Sequence, residues 1–160
     1  RRLPSLLEIS IVERRPIARA MVNGELRLID AEGVIFIPGK PRGDVDRLPW
    51  LLGGSEPAAG ARVTESGRLG LAALEAFARV TGRPVPKDTA IDVSRDDRIS
   101  LRLGDGSATL WLDRRDPARN LEELLALRGR YGALARADVI DLRFSDRLTV
   151  VRPSGATEGR

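Results

Sequence analysis

The 160-residue chain contains no cysteine and no histidine. Those two absences remove thiol nucleophiles, disulfide frameworks, thiolate or imidazole zinc sites and every histidine-based catalytic triad. A chain without thiols is indifferent to redox compartment, so cysteine usage says nothing about location. Aromatic residues make up 4% of the chain and are scattered along it. No apolar run approaches the ~18 residues needed to cross a bilayer. Lysine is nearly absent as well: Lys40 and Lys87 stand against a total of 27 basic residues, the rest being arginine. The chain starts at Arg1-Arg2 without an initiator Met or a signal-peptide pattern, and the expectation is a fragment whose targeting or anchoring segment lies upstream.

What is present is a soluble-protein composition, with 42% hydrophobic and 31% charged residues and a formal net charge of +4. That excludes the disordered low-hydrophobicity class and leaves enough apolar material for a core. The charge is not gathered into a basic stripe. Asp44, Asp46 and Arg47, then Arg95, Asp96, Asp97 and Arg98, alternate in sign, so nucleic-acid binding is disfavoured.

Leu7, Ile9 and Ile11 alternate with Glu8 and Ser10 as in a half-buried strand over Leu6 to Val12, and Pro16 then forces a bend, bulge or edge. Ile17 to Val22 resumes the strand, and Asn23-Gly24 is the dipeptide preferred in a type I′ hairpin turn. Leu26, Leu28 and Val34 to Ile37 flank a second turn, Asp30 to Gly33. Pro38 to Gly60, rich in glycine and proline, reads as a loop pinned by Trp50. Leu69, Ala73, Ala76, Phe77 and Val80 predict a helix over Ser66 to Val80, stopped at Gly82. Ile91 and Val93 read as a strand. Ile99 to Leu103 and Ala108 to Leu112 read as a hairpin around Gly104-Asp105-Gly106. Asp116-Pro117 caps a second helix of about 15 to 20 residues, by the spacing of Leu121, Leu124, Leu125, Arg128, Tyr131 and Leu134. Val139 to Phe144 and Leu148 to Val151 close the chain as two strands, and 153–160 reads as a disordered tail. The expected class is α+β: an antiparallel sheet with two main helices packed on one face.

Candidate chemistry is thin. Asp44, Asp46, Asp96 and Asp97 lack the further oxygen ligands of a calcium loop. Gly104-Asp105-Gly106 lacks the helix and lysine of a phosphate loop. Ser94, Ser100, Ser145 and Thr149 have no base at a meaningful spacing, and the adjacent Glu122 and Glu123 point apart on a helix. No catalytic residue, metal or cofactor is expected. What remains is the last strand, Leu148 to Arg152, at a sheet edge. Either an N-terminal strand of the same chain pairs with it, or a partner adds a strand there.

Several blocks carry a family resemblance. Arg2-Leu3-Pro4 followed by Leu7 to Ala18, including Glu13-Arg14-Arg15-Pro16, resembles the end of the POTRA domain of the bacterial divisome family FtsQ/DivIB. Ile29 to Phe36 resembles its D-x-x-G-x-x-F turn, Leu48-Pro49 with Gly53 its L-P-x-L-x-G, and Val139 to Phe144 its D-L-R-Y. The resemblance implies the end of a POTRA domain at 1–37, a β domain at 38–152, and no enzymatic activity. It implies a scaffold for septal peptidoglycan synthesis that holds FtsB- and FtsL-like partners. It also implies a single membrane helix upstream of this chain, with this portion outside the cytoplasmic membrane at the septum. Carried over by position, Arg143 would meet an acidic partner side chain and Phe144 would give apolar contact without the usual tyrosine hydroxyl. Leu148, Thr149, Val150, Val151 and Arg152 would pair with the partner strand, and Arg95 or Arg98 would supply the family's further basic residue. Two alternatives are a POTRA module of outer-membrane assembly or secretion, and a basic nucleic-acid-binding domain.

Overall fold

The structure, a computed structural model, describes residues 13–38, 45–54, 61–104, 108–128, 138–144 and 149–151. The strand expected over Leu6 to Val12, the tail 153–160, and Leu148 and Arg152 of the candidate partner strand lie outside the described residues.

Strands β1 (Pro16–Val22) and β2 (Glu25–Asp30) form the expected antiparallel hairpin. Asn23 and Gly24 at its tip have φ of 52° and 79°, the left-handed values a type I′ turn demands. The register slips between Pro16 and Ala18, where proline withholds a ladder donor. Strand β3 (Ile35–Phe36) adds antiparallel to β2.

The loop reading of residues 38–60 needs correction. Within it Trp50–Leu52 is a strand, β4, parallel both to β1 and to β5 (Ala90–Asp92). Arg19 N donates to Pro49 O at 2.9 Å, Trp50 N to Thr89 O at 2.8 Å and Val93 N to Leu52 O at 3.0 Å. Three residues between Pro49 and Gly53 are too short to display a period, so their strand character comes from the neighbours that satisfy their backbone.

Strands β6 (Ile99–Arg102) and β7 (Thr109–Leu112) form the expected hairpin, β8 (Val139–Asp141) runs parallel to β7, and β9 (Thr149–Val151) lies antiparallel to β8. The strand order is β3-β2-β1-β4-β5-β6-β7-β8-β9. The α+β class stands, but the sheet is mixed rather than antiparallel: β1/β4, β4/β5 and β7/β8 pair parallel. Hydrophobic alternation reports burial and not strand direction. With β4 unseen, the first helix did not read as a crossover between parallel strands.

Helix α1 (Glu65–Thr81) joins β4 to β5, and α2 (Pro117–Arg128) joins β7 to β8. β4 and β7 point the same way, since two antiparallel steps separate β5 from β7, and both crossovers step in the same direction along the sheet. Crossovers of one hand must then place both helices on one face, and α1 and α2 do touch each other there. Thr64 caps α1 by accepting from Gly67 N at 3.1 Å, and Gly82 ends it with φ 63°. Asp116 caps α2 through Arg119 N at 3.0 Å.

Under the helices runs one cross-strand row, Leu51, Ile91, Leu101, Leu110 and Ile140, each buried, extended by the half-buried Val150. Burial of such side chains stabilises by about 1.5–3 kcal/mol each. At the start of α1 the helix presses against the chain after β4: a Cβ on Gly67 would lie 2.5 Å from Gly54 O. Alanine in a helix normally gains up to ~1 kcal/mol over glycine. Here Gly67→Ala should instead destabilise by about 1–3 kcal/mol in urea denaturation, because backbone has to move.

Candidate functional site

The sheet's other face carries no helix from α1 or α2, and the sequence-predicted residues converge at its C-terminal corner. Trp111 lies between the buried Leu110 and Leu112, so its ring projects to the helix-free side. Across the strands it is in register with Ser100 on one side and Asp141 on the other, and Asp141 is in register with Thr149.

Two guanidinium groups lie against the Trp111 ring, Arg98 at 4.3 Å from the centroid and Arg143 at 5.4 Å; Arg143 also lies 5.6 Å from the Phe144 ring. Arg143 is clamped by Asp141, with Nε donating to Oδ1 at 2.9 Å and Nη2 to Oδ2 at 2.7 Å. The Arg143 backbone N–H also donates to Asp141 Oδ1, at 3.1 Å. The remaining Arg143 nitrogen, Nη1, donates to Asp97 Oδ2 at 2.9 Å, and Arg98 Nη1 donates to that same oxygen at 2.7 Å. Arg98 Nε is buried with no hydrogen-bond partner. The corner is thus a ladder of alternating charges laid over one indole.

Charge settles the protonation states. The hydrogen bonds from Arg143 outweigh burial and hold the Asp141 carboxyl below its ordinary value of 3.8. The same pairing with Asp141 raises Arg143 against the effect of burial. At Asp97 desolvation pushes upward, but the hydrogen bond and charge of Arg98, with the charge of Arg143, bring it below 3.8. All three stay ionised across the neutral range.

Of the candidate partner-binding residues, Arg98 and Arg143 meet over Trp111, Phe144 lies beside Arg143 and Thr149 is in register with Asp141, whereas Val150 packs against the core on the opposite face. Arg98 and Arg95 part company: Arg98 is packed on the indole with 15% of its side chain exposed, whereas Arg95 is solvated, its Nε 3.6 Å from Asp97 Oδ1. Phe144 is 42% exposed. Arg143 is already engaged by two acids of its own chain. Trp111, Asp141 and Asp97 were missed as site residues. The parity of Trp111 between two inward leucines was the available signal for the first, and the Asp-x-Arg spacing of Asp141 and Arg143 for the second. Asp97 had none, because its partners come from a turn and a distant strand.

β9 is the terminal strand of the described sheet. Thr109 N donates to Asp138 O and Leu142 N to Trp111 O, each at 2.8 Å. By strand alternation Ile140 therefore directs its N–H and C=O to β7, and Val139 and Asp141 direct theirs to β9. These two are in register with Val151 and Thr149, which leaves the Val150 N–H and C=O facing away from β8. The opposite edge is dressed differently: Ile35 N donates to Ala61 O and Val63 N to Gly33 O, each at 2.8 Å, so residues 61–63 already lie along β3.

The Cell division protein FtsQ/DivIB, C-terminal family model matches residues 18–143, a span that includes the Trp111 corner up to Arg143. The chain belongs to the FtsQ/DivIB family. Membership assigns it a role in cell division. Comparison with curated proteins returned no match. Among the described residues no helix is long and apolar enough to cross a membrane, and no group of three or more acidic, His or Cys side chains could hold a metal ion. A groove of about 710 Å³ between α1, the Ala31–Gly33 turn and Leu48-Pro49 has no hydroxyl, thiol, amine or imidazole side chain in its lining.

The Asp141–Arg143 clamp yields a pH signature. A carboxyl whose folded pKa is depressed adds stability above its unfolded value, and that stability is lost as pH falls through the folded value. Asp141→Ala should cost about 1–3 kcal/mol near pH 7. In urea denaturation the gap between wild type and variant should then shrink once the pH drops below 3.8.

Proposed function

We propose that this FtsQ/DivIB domain is a non-catalytic divisome scaffold that holds FtsB- and FtsL-type partners by strand addition at β9 and so coordinates septal peptidoglycan synthesis. In this reading the full-length protein is anchored in the cytoplasmic membrane by an N-terminal helix, with this domain on its outer side at the septum. The observation that carries the reading is the asymmetry of the two sheet edges. β3 is covered by the chain's own residues 61–63, whereas β9 directs the Val150 N–H and C=O outward. A strand edge with no neighbour among the described residues is a template for another strand, which gains affinity from main-chain hydrogen bonds and selectivity from side chains beside it.

Those side chains are at hand. Phe144 offers an exposed apolar ring and Arg98 and Arg143 a cationic surface held on Trp111. Val150 faces the core, which fixes the height of the edge, while Thr149 is exposed on the helix-free side. Few anchors at such interfaces carry most of the energy.

The test separates the backbone from the side chain at one position. Val150→Pro deletes the outward N–H, a change that edge strands tolerate, and leaves the β8 ladder intact. Val150→Ala removes the same packing but keeps the donor. With the extracytoplasmic segment of the FtsB-type protein from the same source as probe, calorimetry should find binding to wild type and Val150→Ala. For Val150→Pro it should fall at least about tenfold, the equivalent of one lost hydrogen bond of ~1.4 kcal/mol. Equal binding by the Ala and Pro variants would overturn the strand-addition reading.

A further inference from the structure

Far from the β9 corner, the helix-free face carries a second indole with a guanidinium on it. Trp50 and Leu52 flank the buried Leu51, so both project to this face. Arg19, between the fully buried Ala18 and Ala20, projects there from β1 in register with Trp50. Its guanidinium lies 4.3 Å from the Trp50 centroid, and 8% of its side chain is exposed. Its Nε is buried without a hydrogen-bond partner. The terminal nitrogens face two acids that stay beyond hydrogen-bond range: Nη1 is 3.6 Å from Asp46 Oδ1, and Nη2 is 3.9 Å from Asp88 Oδ1. Both acids are exposed, Asp46 over 95% and Asp88 over 62% of the side chain. A buried cation is thus left with two acceptors just out of reach, a state that costs free energy unless something bridges the gaps. Two residues further along each strand, the parallel register sets Met21 and Leu52 side by side as exposed apolar surface.

Those groups select a ligand by elimination. An anion would meet Arg19 but also two carboxylates, which outnumber it. A cation would meet a guanidinium already facing the same acids. A neutral hydroxyl suits both sides, since it accepts from the arginine and donates to the acid. An oxygen set beside either gap lies within about 2.8 Å of the nitrogen and of the carboxylate oxygen together, so no residue has to move. Two such gaps next to an apolar strip call for several hydroxyls and apolar C–H surface on one molecule, which is the chemistry of a sugar. We infer that the Arg19–Trp50–Asp46–Asp88 cluster is a saccharide-binding site. Hydroxyls bridge Arg19 to both aspartates, and the C–H face of the sugar rests on Met21, Leu52 and the open part of the half-buried Trp50. The site lies on the half of the sheet remote from β9 and is independent of the strand-addition reading.

NMR titration of the indole N–H signals reads the site, because the chain has two tryptophans and Trp111 serves as the internal reference. The probes are cellotriose and triacetylchitotriose, β-1,4-linked trisaccharides with hydroxyls at the rim and flat apolar faces. At least one should shift the Trp50 signal saturably while Trp111 stays in place. Asp46→Ala and Asp88→Gly each remove one bridging acceptor. Glycine suits the left-handed φ of 61° at position 88, and an unmoved Trp111 signal reports an intact fold. Each variant should bind that trisaccharide about 3- to 10-fold more weakly. Asp96→Ala, which removes an exposed acid in the β5–β6 turn, should match wild type. A Trp50 signal that neither sugar moves, equal shifts at both indoles, undiminished binding by the Asp46 and Asp88 variants, or an equal loss in Asp96→Ala would overturn the inference. So would sodium acetate shifting Trp50 at lower concentration than the sugars, the mark of a simple anion site.

Discussion

The direction of β8 governs what the domain can present at its C-terminal end. Because α2 carries the chain from the end of β7 back to its beginning, β8 must run parallel to β7, and its hydrogen bonds with β7 then engage the backbone of Ile140. The next pairing is fixed by what remains: Val139 and Asp141 face β9, and the polar groups of Val150 face outward. The same alternation sends the Val150 side chain to the core and Thr149 to the helix-free face. One crossover therefore decides both the outward-facing hydrogen-bonding groups and the side chains that flank them.

The two crossovers share a hand and a direction, so α1 and α2 both shield one face and neither lies on the other. On that face each of the two tryptophans carries an arginine, with aliphatic residues such as Leu28 and Leu52 beside Trp50. Arg19 lies 4.3 Å from the Trp50 centroid, as Arg98 does from Trp111, so each indole is covered by a guanidinium. This arrangement covers large apolar rings on the sheet face away from α1 and α2. At the β9 end it also gathers acids and bases densely enough to hold Asp141, Asp97 and Arg143 in their charged forms.

Much of this was legible in the sequence because local chemistry determined it. Asn23-Gly24 dictated the first hairpin, Gly82 the end of α1 and Asp116-Pro117 the start of α2. Alternating apolar residues marked β6 and β7. Strand β4 was illegible because three residues between Pro49 and Gly53 carry no period; their neighbours make them a strand. Parallel pairing was hidden for the same reason, since strand direction belongs to the crossover. At the site, Arg143, Phe144 and Arg98 came from a motif, whereas Asp97 joined them through contacts 46 residues apart in the chain. Pairing across that distance leaves no local trace.

Strand addition at β9 depends on the outward direction of one amide, and hydrogen exchange reads it directly. In the isolated domain the Val150 N–H should exchange near the rate of an unprotected amide while Thr149 and Val151, bonded to β8, exchange slowly; addition of the partner segment should slow Val150 selectively. A Val150 amide already protected in the isolated domain would contradict the account.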